Sequence, residues 1–299
     1  MLPRPVLHWV VLPVLNTLAR LVRLRTGRAA LAVLGLLAAA CLLAPALVPG
    51  GSEAGALAEA LRRPSVAHWL GTDELGRDVV ARLLWGGRVS LSVVLLVTLA
   101  APAIGTAYGL LAAVAPPMLG HPLMRLVDGL LAVPRLPLYL VLLTIIGPGY
   151  WSLIVIMVLF DWPTYARLTH LSALGVVREP YVDAAHALGA PGGRIVRAHV
   201  WPSIAGSVLV AAAVGARGRI VAETSLSYLG FGIVPPTPSW GNMLAAAQSR
   251  IWDYPVLAVY PGVLILVVSV AVALLGDALR DALDPRVRIG SARPSRSLT

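Results

Sequence analysis

The sequence contains no lysine: all 24 basic residues are arginine. That absence excludes both the P-loop lysine that grips nucleotide phosphates and a Schiff-base lysine. If ATP drives this protein, a partner chain must bind it. There is one cysteine, Cys41. It has no intramolecular disulfide partner, and its place in an apolar run predicts a buried thiol. The histidines His8, His68, His121, His170, His186 and His199 are scattered, with no HExxH pattern and no Cys/His set. No metal-ligand spacing can be read from them. Charge is also scarce, at 13% of residues, against about 25% in soluble domains.

What is present is apolar. Of the 299 residues 58% are hydrophobic, and the mean hydropathy is +0.81. A soluble fold would have to hide that surface in one core, whereas a bilayer removes the need. The net charge of +10 does not point to nucleic acid. The arginines cluster beside apolar segments, which fits anionic lipid and control of topology.

Six apolar segments can be read, at 29–49, 89–115, 123–147, 150–166, 203–234 and 256–276. About 20 helical residues cross the hydrocarbon core, which predicts an all-α polytopic membrane protein of about six spans. The first run is longer than the apolar region of a secretory signal peptide, about 7–15 residues, and a basic stretch precedes it. An uncleaved first span is therefore expected. Three segments carry polar interruptions: Arg125, Asp128, Pro134, Arg135 and Pro137 in the third, Asp161 and Pro163 in the fourth, and Arg217, Arg219 and Glu223 in the fifth.

Charge sets the expected orientation. Arg4, Arg20, Arg23, Arg25 and Arg28 precede the first segment with no acid among them. Arg280, Arg286, Arg288, Arg293 and Arg296 lie in the last stretch against Asp281 and Asp284. The positive-inside rule puts both ends in the cytoplasm, and an even number of spans agrees. The chain then divides into a cytoplasmic segment 1–28, a transmembrane domain 29–282 and a cytoplasmic tail 283–299. Within the domain, 50–88 lies outside and a polar loop, 167–202, lies inside.

That loop reads as two short helices with a break. Pro180 suits a first helical turn, and the Glu179 carboxylate sits where the helix dipole is positive. Ala184, Ala185, Ala187 and Leu188 form a small apolar surface, and Gly189 can adopt the left-handed cap that ends the helix. Pro191 opens a second helix that Pro202 is expected to limit. By itself the pattern fits equally a helix docked in a partner's groove and an amphipathic connector lying on the membrane.

The loop resembles a family motif. Asp183-Ala184-Ala185, then Gly189, then Pro202 is similar to the EAA signature of ABC importer permeases, with Asp183 for the usual Glu and Trp201 for the usual Leu. Four further stretches resemble dipeptide, oligopeptide and nickel permeases in order and spacing. They are His68-Trp69-Leu70-Gly71-Thr72-Asp73-Glu74-Leu75-Gly76-Arg77-Asp78, continued by Arg88-Val89-Ser90-Leu91; Glu223 to Gly232; Pro235 to Leu244; and Leu275 to Arg286. The resemblance covers about residues 20–290 and points to the C-type (DppC/OppC-like) subunit.

That resemblance implies a type I ABC importer permease of the bacterial inner membrane. It would work with a second, homologous permease, two ATPase subunits that hold ATP and Mg, and an extracytoplasmic solute-binding protein. Glu179, Asp183, Ala184, Ala185, Leu188, Gly189 and Pro202 would form the ATPase-coupling loop. Cargo would be a dipeptide or oligopeptide, with nickel chelates and glutathione-like solutes as alternatives.

The remaining polar residues give candidates. Arg219 and Glu223 lie four apart on one helical face and are read as a possible pair. With Arg217, Ser225 and Ser227 they are candidates for the translocation path or the permease interface, since intramembrane charge is expensive. An internal, self-neutralising pair is the equal alternative. Asp73, Glu74, Arg77 and Asp78 read as a well-bonded outer turn, and with Trp240 they are candidate contacts for the binding protein. No catalytic set is found in the spans, which argues against an intramembrane Ser protease or lipid-modifying enzyme. Six spans are few for a secondary transporter working alone.

Overall fold

The computed structural model describes residues 21–22, 24–48 and 50–283. The basic positions Arg4, Arg20 and Arg23, the tail 284–299 and its Asp284-Pro285-Arg286 motif lie outside the described residues. The described chain is helical: α1 (Arg25–Leu42), α2 (Val79–Val114), α3 (Pro117–Ala132), α4 (Arg135–Ile146), α5 (Tyr150–Val177), α6 (Pro180–Ala187), α7 (Gly192–Tyr228), α8 (Trp240–Gln248) and α9 (Val256–Leu283).

By length and composition α1, α2, α7 and α9 can each cross a membrane, and α3 with α4 makes a fifth candidate if counted as one bent span. The expected single segment 123–147 is corrected here, because α3 and α4 meet at 87°. The cause is Pro134. It has no N–H to continue a helix and pushes Val133 into extended backbone, at φ −88° and ψ 130°. The fifth segment is shorter at its end than expected, since α7 stops at Tyr228 and Gly230 turns the chain with φ +84°. The polar stretch read as a loop from Arg167 is helical through Val177, a continuation of α5.

Helix α5 explains why its segment is weakly apolar in sequence. Its polar positions Asp161 and Thr169 are buried between helices and do not face the surroundings. Two glycines set how close α2 and α5 come. A Cβ at Gly105 would sit 2.3 Å from the Trp162 carbonyl oxygen, and one at Gly109 would sit 2.4 Å from that of Ala166. This is small-xxx-small packing, in which dispersion contacts replace the hydrophobic drive missing in lipid.

One cluster of buried side chains, including Val93, Val97, Leu143, Ile156, Met157 and Tyr165, joins α2, α4 and α5. A second, including Cys41, Leu83, Ile220, Trp240 and Val268, joins α1, α2, α7, α8 and α9. Cys41 is buried in it as a free thiol. Large apolar side chains such as Leu95, Leu99, Val155, Leu159, Leu266 and Val270 remain exposed along the helices. On a soluble monomer so much apolar surface would drive association, whereas lipid accepts it.

Candidate functional site

The first candidate is α6. Glu179 is its N-cap residue in extended backbone, without a side-chain capping bond, and Pro180 opens the first turn. Its end is a Schellman motif. The Gly189 N–H donates to the His186 carbonyl at 2.9 Å and the Ala190 N–H to the Ala185 carbonyl at 3.1 Å. Gly189 has φ +79°, a left-handed conformation that costs other residues about 1–2 kcal/mol. One side of α6 is anchored: Val182 is buried with Ala173, Ile195, Val200 and Ile204. The other side is bare. Asp183, Ala184 and His186 are exposed, Ala185 is half-buried, and Leu188 is 89% exposed.

Pro202 does not limit the following helix. The chain runs as one helix from Gly192 to Tyr228, passing through a π-helical turn at Val196–Val200. A proline ring in a helix clashes with the carbonyl four residues back and removes one ladder bond. The wide turn immediately before Pro202 accommodates both effects.

The second candidate is an open cavity of about 1230 Å³ along α5 and α7, reached also by Arg135 and Tyr139 of α4 and by Arg280 and Leu283 of α9. Its walls are mostly apolar, and Trp201, Pro202, Gly206, Gly215 and Gly218 lie on the α7 side. The polar part is one cluster. Arg219 Nε donates to Asp161 Oδ2 at 2.8 Å, and Arg135 Nη1 donates to Asp161 Oδ1 at 3.2 Å. The Tyr139 hydroxyl donates to Asp161 Oδ1 at 2.7 Å. Arg219 also donates to the Tyr165 hydroxyl at 2.6 Å and to Thr98 Oγ1 at 3.2 Å. Arg135 donates to Thr164 Oγ1 at 3.2 Å.

This corrects the expected Arg219–Glu223 pair. Arg219 bonds across to α5, where Asp161 is a buried partner. Glu223 has no cation partner among the described residues. It accepts from the Ser227 hydroxyl at 3.0 Å and lies beside that of Thr224. Ser227 Oγ in turn accepts the Ile233 N–H at 3.0 Å, and Asn242 Nδ2 donates to the Ile233 carbonyl at 3.1 Å. Glu223 and Ser227, both buried, thus hold the turn between α7 and α8 and do not line the cavity. Arg217 is exposed on α7, and neither it nor Ser225 belongs to the cavity wall.

The turn expected on the outer side is bonded within itself. Asp73 Oδ1 accepts the Leu75 and Arg77 N–H groups at 2.9 Å each, and Oδ2 accepts Arg77 Nε at 2.7 Å and Arg82 Nη1 at 3.2 Å. Asp78 caps α2 by accepting the Ala81 N–H at 2.9 Å, and its other oxygen lies 2.9 Å from His68 Nδ1. Glu74 is half-buried beside them. Trp240 is corrected: it offers no surface to a binding protein. It is fully buried, and its indole N–H donates to the Leu83 carbonyl at 3.0 Å.

Arg135, Tyr139, Asp161 and Tyr165 are the residues that sequence reasoning did not assemble. Arg135 and Asp161 are visible there as polar interruptions, but 26 positions separate them and only the packing of α4 on α5 joins them.

Residues 105–289 match the family described as binding-protein-dependent transport system inner membrane component. The chain is similar to the glutathione transport system permease protein GsiD of Pectobacterium atrosepticum, with 37% identity over 225 residues, 75% of each protein. It is also similar to a putative peptide transport system permease protein of Brucella suis, with 35% identity over 277 residues, 93% of each. A putative peptide permease protein of the same organism shares 37% over 228 residues, 76% of each. The chain therefore belongs to the inner membrane components of binding-protein-dependent transport systems, as an all-helical, multi-pass transport permease.

Proposed function

We propose that this chain is the C-type half of a heterodimeric permease that moves dipeptides or oligopeptides inward across the cytoplasmic membrane. A second, homologous permease completes the path. Two ATPase subunits bind ATP and Mg at the cytoplasmic face, and an extracytoplasmic binding protein delivers the solute. Both termini lie in the cytoplasm, as the arginine distribution supports.

The observation that carries this reading is the two-sided character of α6. Val182 fastens it to α5 and α7, so a force on α6 is transmitted to the bundle. The bare side, with Ala184 and Leu188, is small enough to enter a groove of an ATPase subunit and apolar enough to gain free energy there. The continuous helix α7 then links that contact to the cavity wall. Rocking of rigid helices about the cavity is a sufficient mechanism, and no covalent chemistry is required of this chain.

Peptide cargo is supported by the two Brucella relatives, and a glutathione-like cargo by the Pectobacterium relative. The deciding experiment co-expresses the chain with the permease, ATPase and binding-protein genes beside it. The expected result is a detergent-stable complex that takes up peptide into proteoliposomes only with ATP inside the ATPase compartment. Purification without ATPase subunits, together with uptake indifferent to ATP, overturns the reading.

A further inference from the structure

We infer that Arg135 is a carboxylate-recognition point in the wall of the cavity, so that the transported solute is selected in part for a free carboxylate. The inference rests on the proposed function, in which this cavity lies on the solute's path. It begins from a charge imbalance. Asp161 is the single carboxylate of the cluster, yet it receives two guanidinium groups, from Arg219 and Arg135. One unit of positive charge is left over, and geometry decides where it sits.

Arg219 is 4% exposed at its side chain and is satisfied by Asp161, Tyr165 and Thr98. Arg135 differs in exposure and in the number of its bonds. Its side chain is 48% exposed, it opens into the cavity, and it makes one bond each to Asp161 and Thr164. A guanidinium has five N–H donors, so Arg135 keeps donors for a second oxygen ligand. The surrounding walls are largely apolar, which strengthens a charged contact relative to bulk water. Asp161 and Thr164 also hold the guanidinium in place, so little side-chain entropy is lost when a ligand arrives.

The matching ligand chemistry is a planar carboxylate on a partly apolar solute, and a peptide C-terminus satisfies it. Arg280, also on the cavity wall, adds positive potential. The contact is exposed and shared with Asp161, so it holds the solute without trapping it, as a pathway site requires.

The test uses the complete transporter in proteoliposomes, loaded through its binding protein. Uptake of a hydrophobic tripeptide is compared with that of its C-terminal amide, and the acid-to-amide ratio is measured for wild type, Arg135→Gln and Arg135→Lys. Selection by the binding protein is common to all three and cancels in the comparison. The expected result is a ratio about tenfold lower in Arg135→Gln, largely retained in Arg135→Lys, with binding-protein-stimulated ATP hydrolysis present in all. An unchanged ratio in Arg135→Gln, or one that Arg135→Lys fails to retain, overturns the inference and leaves the transport reading standing. Failure of the wild type to take up either peptide overturns the transport reading and this inference with it.

Discussion

Arg219 on α7 donates to Asp161 on α5 at 2.8 Å, while Glu223, one turn further along α7, bonds to Ser227 and not to Arg219. A charge pair spaced for one helix is thus realised between two. The bond ties together the helices that form the cavity wall, and burial makes each partner dependent on the other.

Replacing Arg219 with Met is expected to destabilise the protein by about 3–5 kcal/mol, because buried Asp161 keeps the Tyr139 hydroxyl but only the half-exposed Arg135 as a cation. Adding Asp161→Asn is expected to recover part of the loss, since the uncompensated charge goes. Exchanging Arg219 and Glu223 is expected to recover none of it. Thermal melting in detergent, read as a mutant cycle, checks all three. Full recovery by the exchange would restore the intrahelical pair.

Gly109→Leu should abolish folding or leave only traces of monodisperse protein, because its side chain enters space held by the Ala166 carbonyl and Thr169. Gly129→Ala is the control. A Cβ at Gly129 meets nothing within 4 Å, and helix propensity favours Ala by about 0.8–1.0 kcal/mol. Size-exclusion profiles of the two variants should therefore differ sharply.

Trp240→Ala is expected to lower stability by about 3–5 kcal/mol and to leave the Leu83 carbonyl without its indole donor. The fraction that folds should still bind the loaded solute-binding protein, because Trp240 has no exposed surface. A melting curve and a pull-down separate the two effects. Normal melting with lost binding would reverse the assignment.

Leu188→Asp and Ala184→Trp should release the ATPase subunits during purification while shifting the permease's own stability by no more than about 0.5 kcal/mol. Gly189→Val should act differently. It strains the left-handed cap by about 1–2 kcal/mol, and is expected to lower both melting temperature and coupling. ATPase content after affinity purification, beside the melting temperature, distinguishes the cases.

Much of α6 is readable locally. Pro180, Gly189 and the alanines between them act within a turn of their own positions, so start, stop and apolar surface follow from neighbouring residues. Pro202 misleads for the same reason. Its local effect is to end a helix, but a π-turn before it absorbs the clash, and that remedy is stabilised by the packing of Val200 and Ile204. Pro134 has no such support from a neighbouring turn, and there the helix breaks.

The cavity is not readable in this way. Asp161, Arg135 and Arg219 come from three helices, and each appears in the sequence as a polar interruption of a different apolar segment. Burial of charge is costly enough to demand partners, but the demand does not name them. Trp240 shows the same limit: its residue type and its expected position outside the membrane suit an interface, and only the closeness of Gly87 and Leu83 makes it a core residue.

What the sequence alone determined is therefore what depends on local or averaged properties: a membrane protein, from hydropathy summed over whole segments; no nucleotide lysine; and the ends of α6, from proline and glycine. What tertiary structure decided is which charges meet, where the bend of α3 on α4 places Arg135, and which aromatic residues are buried. The physical reason is range. Backbone preferences act over a few residues, whereas the free energy of a buried ion or a close helix contact depends on atoms brought together from distant parts of the chain.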